Sequence, residues 1–157
     1  MSWMSIHSFC VGDETRLYEL IKSVYDEFVA PDYTPHGNAF FYTFIEPSNF
    51  VQRYSVTKNI ILKAIADSRI VGMIEIRDVN TVSLLFVKKE FQRRGVAKAL
   101  FEEALRLIRA RNPRLNEISV HASPFSIPVY EKLGFVGVGE QLEENGIIYL
   151  PMKKKLF

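Results

Sequence analysis

Apolar and polar positions along the chain alternate between two rhythms, and the switches between them mark the elements. Residues 4–9 form a first short extended segment. Behind Asp13, which suits a helix start, Leu17, Leu20, Ile21, Val24 and Phe28 recur at helical spacing until Pro31 ends the run. From Pro31 to Pro47 the character changes to prolines, Tyr33, His36 and Gly37, then the aromatic cluster Phe40, Phe41, Tyr42 and Phe44, which predicts a loop and a second helix. Ile60 to Ala66 and Ile70 to Ile76 read as two strands joined by a short turn at Asp67, Ser68 and Arg69, and a second turn at Asp78 to Asn80 leads into a third strand over 82–87. These three make an antiparallel meander.

A helical rhythm returns at Val96 with Leu100, Ala104 and Leu107 and stops before Asn112 and Pro113. Glu117 to His121 is the next strand. Because it follows a strand and a helix, it is expected parallel to the strand of 82–87 through a right-handed crossover. A short helix near 126–132 follows, started either by Ser123 or afresh at Pro128. A strand from Phe135 to about Glu140, a turn at Asn145 and Gly146 and a final strand from Ile147 to Lys153 close the chain. The fold class is therefore α/β: a mixed, mostly antiparallel sheet with a central parallel step, flanked by helices. With no repeat or linker, residues 1–157 read as one domain.

Composition changes this picture little. The net charge of +2 excludes a uniformly basic nucleic-acid binder, so the location of the charge matters more than its sum. A single cysteine, Cys10, leaves no internal disulfide and no cysteine-rich metal site. No apolar run reaches the roughly 20 residues of a membrane helix, and the start shows no signal-peptide pattern. A reducing cytoplasm is the expected setting, with no membrane partner, no nucleic-acid partner and no metal.

The charge concentrates in one place. Lys88, Lys89, Arg93, Arg94 and Lys98 crowd the link between the third strand and the helix from Val96, with Gly95 among them. A helix start with free N–H groups and local positive charge is an anion site, most naturally for phosphate. Ligands in open sheets favour the carboxyl ends of strands where connections diverge, and the parallel step puts this turn at such a point.

The run Gln92-Arg93-Arg94-Gly95-Val96-Ala97 after Leu85-Phe86-Val87, followed some 30 residues later by Val129-Tyr130-Glu131-Lys132-Leu133-Gly134-Phe135, resembles the GNAT superfamily of N-acetyltransferases. The resemblance implies acetyl-coenzyme A as donor. It places the pyrophosphate on the turn from Gln92 through Arg93, Arg94, Gly95, Val96 and Ala97 to Lys98, and the pantetheine arm along Leu85, Phe86 and Val87. The Val87 amide is expected to polarise the thioester carbonyl, and Tyr130 to protonate the leaving sulfur. His121, Ser123 and Ser126 are expected to face the cofactor. Lys89 stands where many members carry proline, which makes the turn less rigid and more basic.

The remaining roles stay open in the sequence. Glu75 is the first candidate for the base that takes the amine's proton, with Asp78 and Glu46 as alternatives, and His121 titrates in a suitable range. Tyr33, Phe40 and Phe44 are candidates for an aromatic acceptor site, and the same rings could instead cap the core. His36 and Tyr149 fit the same partly aromatic pocket. A small-molecule amine is expected as acceptor rather than a protein, and the chain itself is expected as a monomer or homodimer. The competing expectation is a non-catalytic acyl-coenzyme A-binding regulatory module.

Overall fold

A computed structural model describes residues 3–156; Met1, Ser2 and Phe157 of the expected 1–157 domain lie outside the described residues. The described residues form eight strands and five α-helices. They are β1 (Ser5–Ser8), α1 (Glu14–Phe28), α2 (Pro35–Phe44), α3 (Pro47–Ser55), β2 (Ile60–Ala66), β3 (Arg69–Arg77), β4 (Thr81–Val87), α4 (Val96–Arg111), β5 (Glu117–Ala122), α5 (Ile127–Lys132), β6 (Val136–Gly137), β7 (Leu142–Glu144) and β8 (Ile147–Lys155). The sheet order is β1-β2-β3-β4-β5-β8-β6, with β7 paired to β8. All pairs are antiparallel except β4 with β5, so the expected meander and parallel step are both present.

The central strands are apolar on both faces because helices cover both. On one face α4 lays Val96, Leu100, Phe101, Ala104 and Ile108 over Leu62, Val71, Ile74 and Val82. On the other, Leu17, Leu20 and Ile21 of α1 and Phe50 of α3 cover Ile61, Met73 and Leu84. At Gly72 a Cβ would lie 2.9 Å from Val96 Cγ1 and 3.2 Å from Leu100 Cδ1, so glycine is what lets the start of α4 sit this close to the sheet.

Three expectations need correction. A third helix, α3, occupies residues left unassigned after Pro47. The strand expected over 135–140 is only Val136–Gly137. It stops because Pro151 in β8 has no N–H to extend the ladder, although its carbonyl still accepts from the Val138 N–H at 2.9 Å, and because Gly139 turns the chain at φ +100°. Between β6 and β8 the chain adds β7, a wholly exposed strand that pairs with β8 across the Asn145-Gly146 turn.

Candidate active site

The central opening begins as an irregularity in β4. Glu75 pairs with Leu84 but Ile76 pairs with Val82, so Ser83 is an extra residue on β4, a β-bulge. Bulges bend a strand and sharpen its twist. Below the bulge β4 and β5 are joined, with Thr81 opposite Ser119, Val82 opposite Val120, and Asn80 Nδ2 donating to the Glu117 carbonyl at 3.0 Å. Above it the two strands no longer pair, and a cavity of about 830 Å³ opens there.

The gap exposes backbone. Lys88 N–H donates to the Val71 carbonyl at 2.8 Å, and Gly72 stands opposite Val87. By the antiparallel alternation the amides of Lys88, Phe86 and Leu84 face β3, which leaves those of Leu85 and Val87 aimed toward β5 and the gap. The Val87 carbonyl is taken by Gln92 Nε2 at 3.0 Å, which pins the turn to the strand. Gly95 then enters α4 in the left-handed region, φ +85°, where glycine carries no Cβ penalty. No side chain caps α4 and its first turn holds no acid, so the N–H groups of its first turn are unsatisfied at the cavity wall, beside Arg93 and Lys98.

Of the expected cofactor residues, Leu85, Phe86, Val87, Gln92, Arg93, Gly95, Val96, Ala97 and Lys98 all line the cavity. Arg94 does not: its guanidinium lies over the Trp3 ring at 4.5 Å and the Phe91 ring at 5.1 Å, so cation–π contact draws the side chain away from the opening. Across the gap His121, Ser123, Ser126 and Tyr130 complete the wall. The Ser123 and Ser126 hydroxyls are 2.9 Å apart, and a short 3-10 turn over 124–126 precedes α5, whose Pro128 sits in its first turn.

Tyr130 is 4 % exposed, yet its hydroxyl makes no hydrogen bond to any described residue and reaches the cavity. Burial pushes its phenol well above the ordinary value of 10, so it is protonated at pH 7. His121 stacks on Tyr149 with centroids 4.3 Å apart, and the Tyr149 hydroxyl donates to Glu144 at 2.7 Å. Burial first, and the Arg77 cation second, hold the imidazole below its ordinary 6.5 against a smaller opposing pull from Glu144. It is therefore neutral at pH 7.

Tyr33, Phe40 and Phe44 all line the cavity, and Tyr25 and Phe41 join them, stacked at 3.8 Å. The aromatic stretch thus does both jobs weighed for it, packing α2 onto α1 and walling the opening. The N-terminal end of α2 rests on the β7–β8 turn, where the Thr34 N–H donates to the Gly146 carbonyl at 3.2 Å. A Cβ on Gly37 would lie 2.5 Å from that oxygen.

Glu75 is not brought to the site. It is fully buried on the α3 side of β3, where Arg53 Nε donates to Oε2 at 2.7 Å, Arg53 Nη2 to Oε1 at 3.2 Å and Asn59 Nδ2 to Oε2 at 2.9 Å. A carboxylate that is fully buried, saturated by three donors and absent from the cavity lining is not presented to an amine there, so the expectation of a catalytic base at Glu75 is corrected. Asp78 pairs with Arg77 at the surface, and Glu46 is exposed before α3. His36 and Tyr149 are not among the lining residues. Sequence reasoning missed Arg77, Ser83 and Phe125 in the lining. For Arg77 the available signal was a cation two residues beyond Glu75 on the same strand face.

The residues present fit an extended anionic thioester, with unsatisfied helix amides and cations at one end, open strand amides along the gap and the hydroxyl of a largely buried tyrosine facing it. A family model for an acetyltransferase (GNAT) domain matches residues 29–156. No curated protein matches in sequence. Among solved structures, the chain is similar to a GCN5-related N-acetyltransferase from Rhodopseudomonas palustris, with TM-score 0.83, 20 % identity and coverage of 99 % of this chain and 98 % of that one. It is also similar to the PaiA N-acetyltransferase of Thermoplasma acidophilum in complex with coenzyme A, with TM-score 0.80, 20 % identity and coverage of 97 % and 98 %. A third is the spermidine N-acetyltransferase SpeG of Vibrio cholerae, with TM-score 0.69, 17 % identity and coverage of 99 % and 95 %. At these identities the structural likeness speaks for the fold. No helix among the described residues is long and apolar enough to cross a membrane.

Proposed function

Since this chain belongs to the GNAT acetyltransferase family, we propose that it moves the acetyl group of acetyl-coenzyme A to a primary amine by direct attack of the nitrogen. Membership makes it an acetyl-coenzyme A-dependent acyltransferase; the acceptor class and the residue roles are the proposal. The observation that carries it is the bulged, half-open β4–β5 gap, which joins an unsatisfied helix start to the hydroxyl of Tyr130 through one cavity.

Acetyl-coenzyme A supplies an activated acyl carbon and a thiolate leaving group. Arg93, Lys98 and the first-turn amides of α4 hold its phosphates by charge-assisted hydrogen bonds. The Leu85 and Val87 amides lie along the pantetheine path, and both are open to the carbonyl oxygen as charge develops there. Ser123 and Ser126 border the path from the β5 side. As the nitrogen bonds to the acyl carbon its N–H becomes strongly acidic, and neutral His121 takes that proton. Tyr130 passes its proton to the sulfur as the C–S bond breaks, and the products are the amide and the free thiol. Tyr33, Phe40 and Phe44 shape the acceptor end, where a cavity walled by aromatic rings suits a small molecule. A cytoplasmic setting, in which the thiol of Cys10 stays reduced, accords with this role.

The test is thiol release from acetyl-coenzyme A over a panel of amines, with Tyr130→Phe beside the wild type. Loss of a positioned proton donor lowers kcat by about 10²-fold or more while coenzyme A affinity holds. Tight cofactor binding with no turnover on any amine, and no effect of the substitution, would instead mark a binding module.

A further inference from the structure

The charges lining the cavity are all of one sign. Among the described residues Arg77, Arg93, Lys98 and Lys132 contribute to its wall, and no aspartate or glutamate does. Two of these cations, Arg93 and Lys98, stand at the start of α4 and are accounted for by phosphate. Arg77 is not. It lies opposite Thr81, at the end where β4 and β5 are still paired, six residues along the strand from Val87. At about 3.3 Å per residue that is roughly 20 Å from Val87 at the α4 end of the strand. It stands on the same face of the sheet as Met73 and Leu84, the face that α1 and α2 cover, and His121 and the rings of α2 line the same opening.

The present partner of Arg77 holds it weakly. Asp78 is its sequence neighbour, with a side chain 72 % exposed, and exposed pairs of this kind contribute little and exchange readily. A guanidinium that can leave such a partner for a ligand offers a two-pronged donor matched to carboxylate. Aromatic rings alone would accept an ammonium over their faces, but beside Arg77 and with no acid in the wall, a second positive charge on the acceptor meets repulsion.

Building on the acetyltransferase reading, we propose that the acceptor is an amine that also carries a carboxylate, of the apolar α-amino-acid class. Arg77 holds that carboxylate, and Tyr33, Phe40 and Phe44 receive the side chain. Arg77 is thus a specificity residue of the acceptor site, and the polycationic acceptor named for the spermidine enzyme is the wrong charge type for this chamber.

The experiment compares phenylalanine, 2-phenylethylamine, which lacks only the carboxylate, and spermidine as acceptors, in the wild type and in Arg77→Ala. The readout is kcat/KM from thiol release. In parallel, calorimetry measures binding of N-acetylphenylalanine and N-(2-phenylethyl)acetamide to the coenzyme A-loaded protein. The wild type should favour the carboxylate member of each pair by about tenfold or more, a charge-assisted pair of hydrogen bonds being worth at least that factor. In Arg77→Ala both preferences fall to near unity with coenzyme A affinity unchanged. Comparing ratios between the two proteins cancels the difference in amine basicity. A wild type that prefers 2-phenylethylamine or spermidine, or a preference that survives Arg77→Ala, overturns the proposal while leaving the acetyltransferase reading intact. Absence of turnover on every amine would count against that reading, and the calorimetric ratio would still decide the role of Arg77.

Discussion

Replacing Glu75 by glutamine separates a buried structural carboxylate from a catalytic one. The carboxylate is fully buried and accepts three hydrogen bonds, while the Arg53 side chain opposite it is only 12 % exposed. Arg53 also donates to the Phe44 carbonyl at 2.8 Å and lies over the Phe44 and Phe50 rings at 4.0 and 4.8 Å, so the pair ties α2, α3 and β3 together. Glutamine keeps the shape but presents an amide N–H₂ to groups that are already donors, and it leaves the guanidinium without a counter-charge. Breaking a buried pair from one side costs about 3–5 kcal/mol. At roughly 2–4 °C per kcal/mol for a chain of this size, the thermal midpoint should fall by about 6–20 °C. Circular dichroism melts at pH 7 read that shift, and thiol release at 20 °C reads activity in the same samples. Activity should persist, with any loss falling on acceptor KM because Arg53 positions Phe44. Glu75→Leu combined with Arg53→Met should recover most of the lost stability, since removing both charges removes the unpaired one. A fall in kcat of about 10²-fold with an unmoved melt would refute the reasoning and return Glu75 to the role of base.

Two further outcomes test the site and its frame. The His121 imidazole should titrate below 6.5 by NMR, and Arg77→Gln should move that titration upward, because a cation that disfavours protonation is gone; an unchanged titration would show the two groups do not share the chamber. If His121 is the base, the acid limb of the kcat/KM profile shifts in the same direction. Gly72→Ala places a methyl against Val96 and Leu100, which should cost about 1–3 kcal/mol by overpacking and weaken coenzyme A binding by displacing the start of α4; retained affinity with full stability would show that this contact is slack.

Much of the frame was legible because it rests on local periodicity. The apolar runs of 60–87, separated by polar turns, yield three strands, the spacing from Val96 yields α4, and strand-helix-strand order yields the parallel step. What escaped depends on contacts between distant segments. The bulge at Ser83 is a relation between the registers of β3 and β4, and no residue type announces it. β7 carries no apolar face, being exposed along its length, so it has no alternation to detect. α3 buries only Phe50 fully, too little for a periodic signal over nine residues. Glu75 drew attention as an acid within an apolar strand, and its true partner stands 22 residues earlier on the helix that was not foreseen. The cofactor turn was legible because its chemistry is contiguous, whereas the acceptor chamber is assembled from α1, α2, β3, β5 and β8.

That difference has a physical origin in the sheet itself. Phosphates can be held by one helix start, so a single stretch of chain suffices. The thioester needs open strand amides, and those exist only where a strand inside a sheet loses its neighbour, which ordinarily leaves unsatisfied backbone. Here the extra residue at Ser83 ends the β4–β5 ladder, while Asn80, Thr81 and Ser119 pin the strands below it. The opening is therefore bounded at one end by paired backbone and at the other by α4. A ligand entering from the helix end has its reactive group carried toward the paired end, where Arg77, His121 and the α2 rings stand. The bulge thus sets both the exposure of the amides and the direction in which donor and acceptor meet.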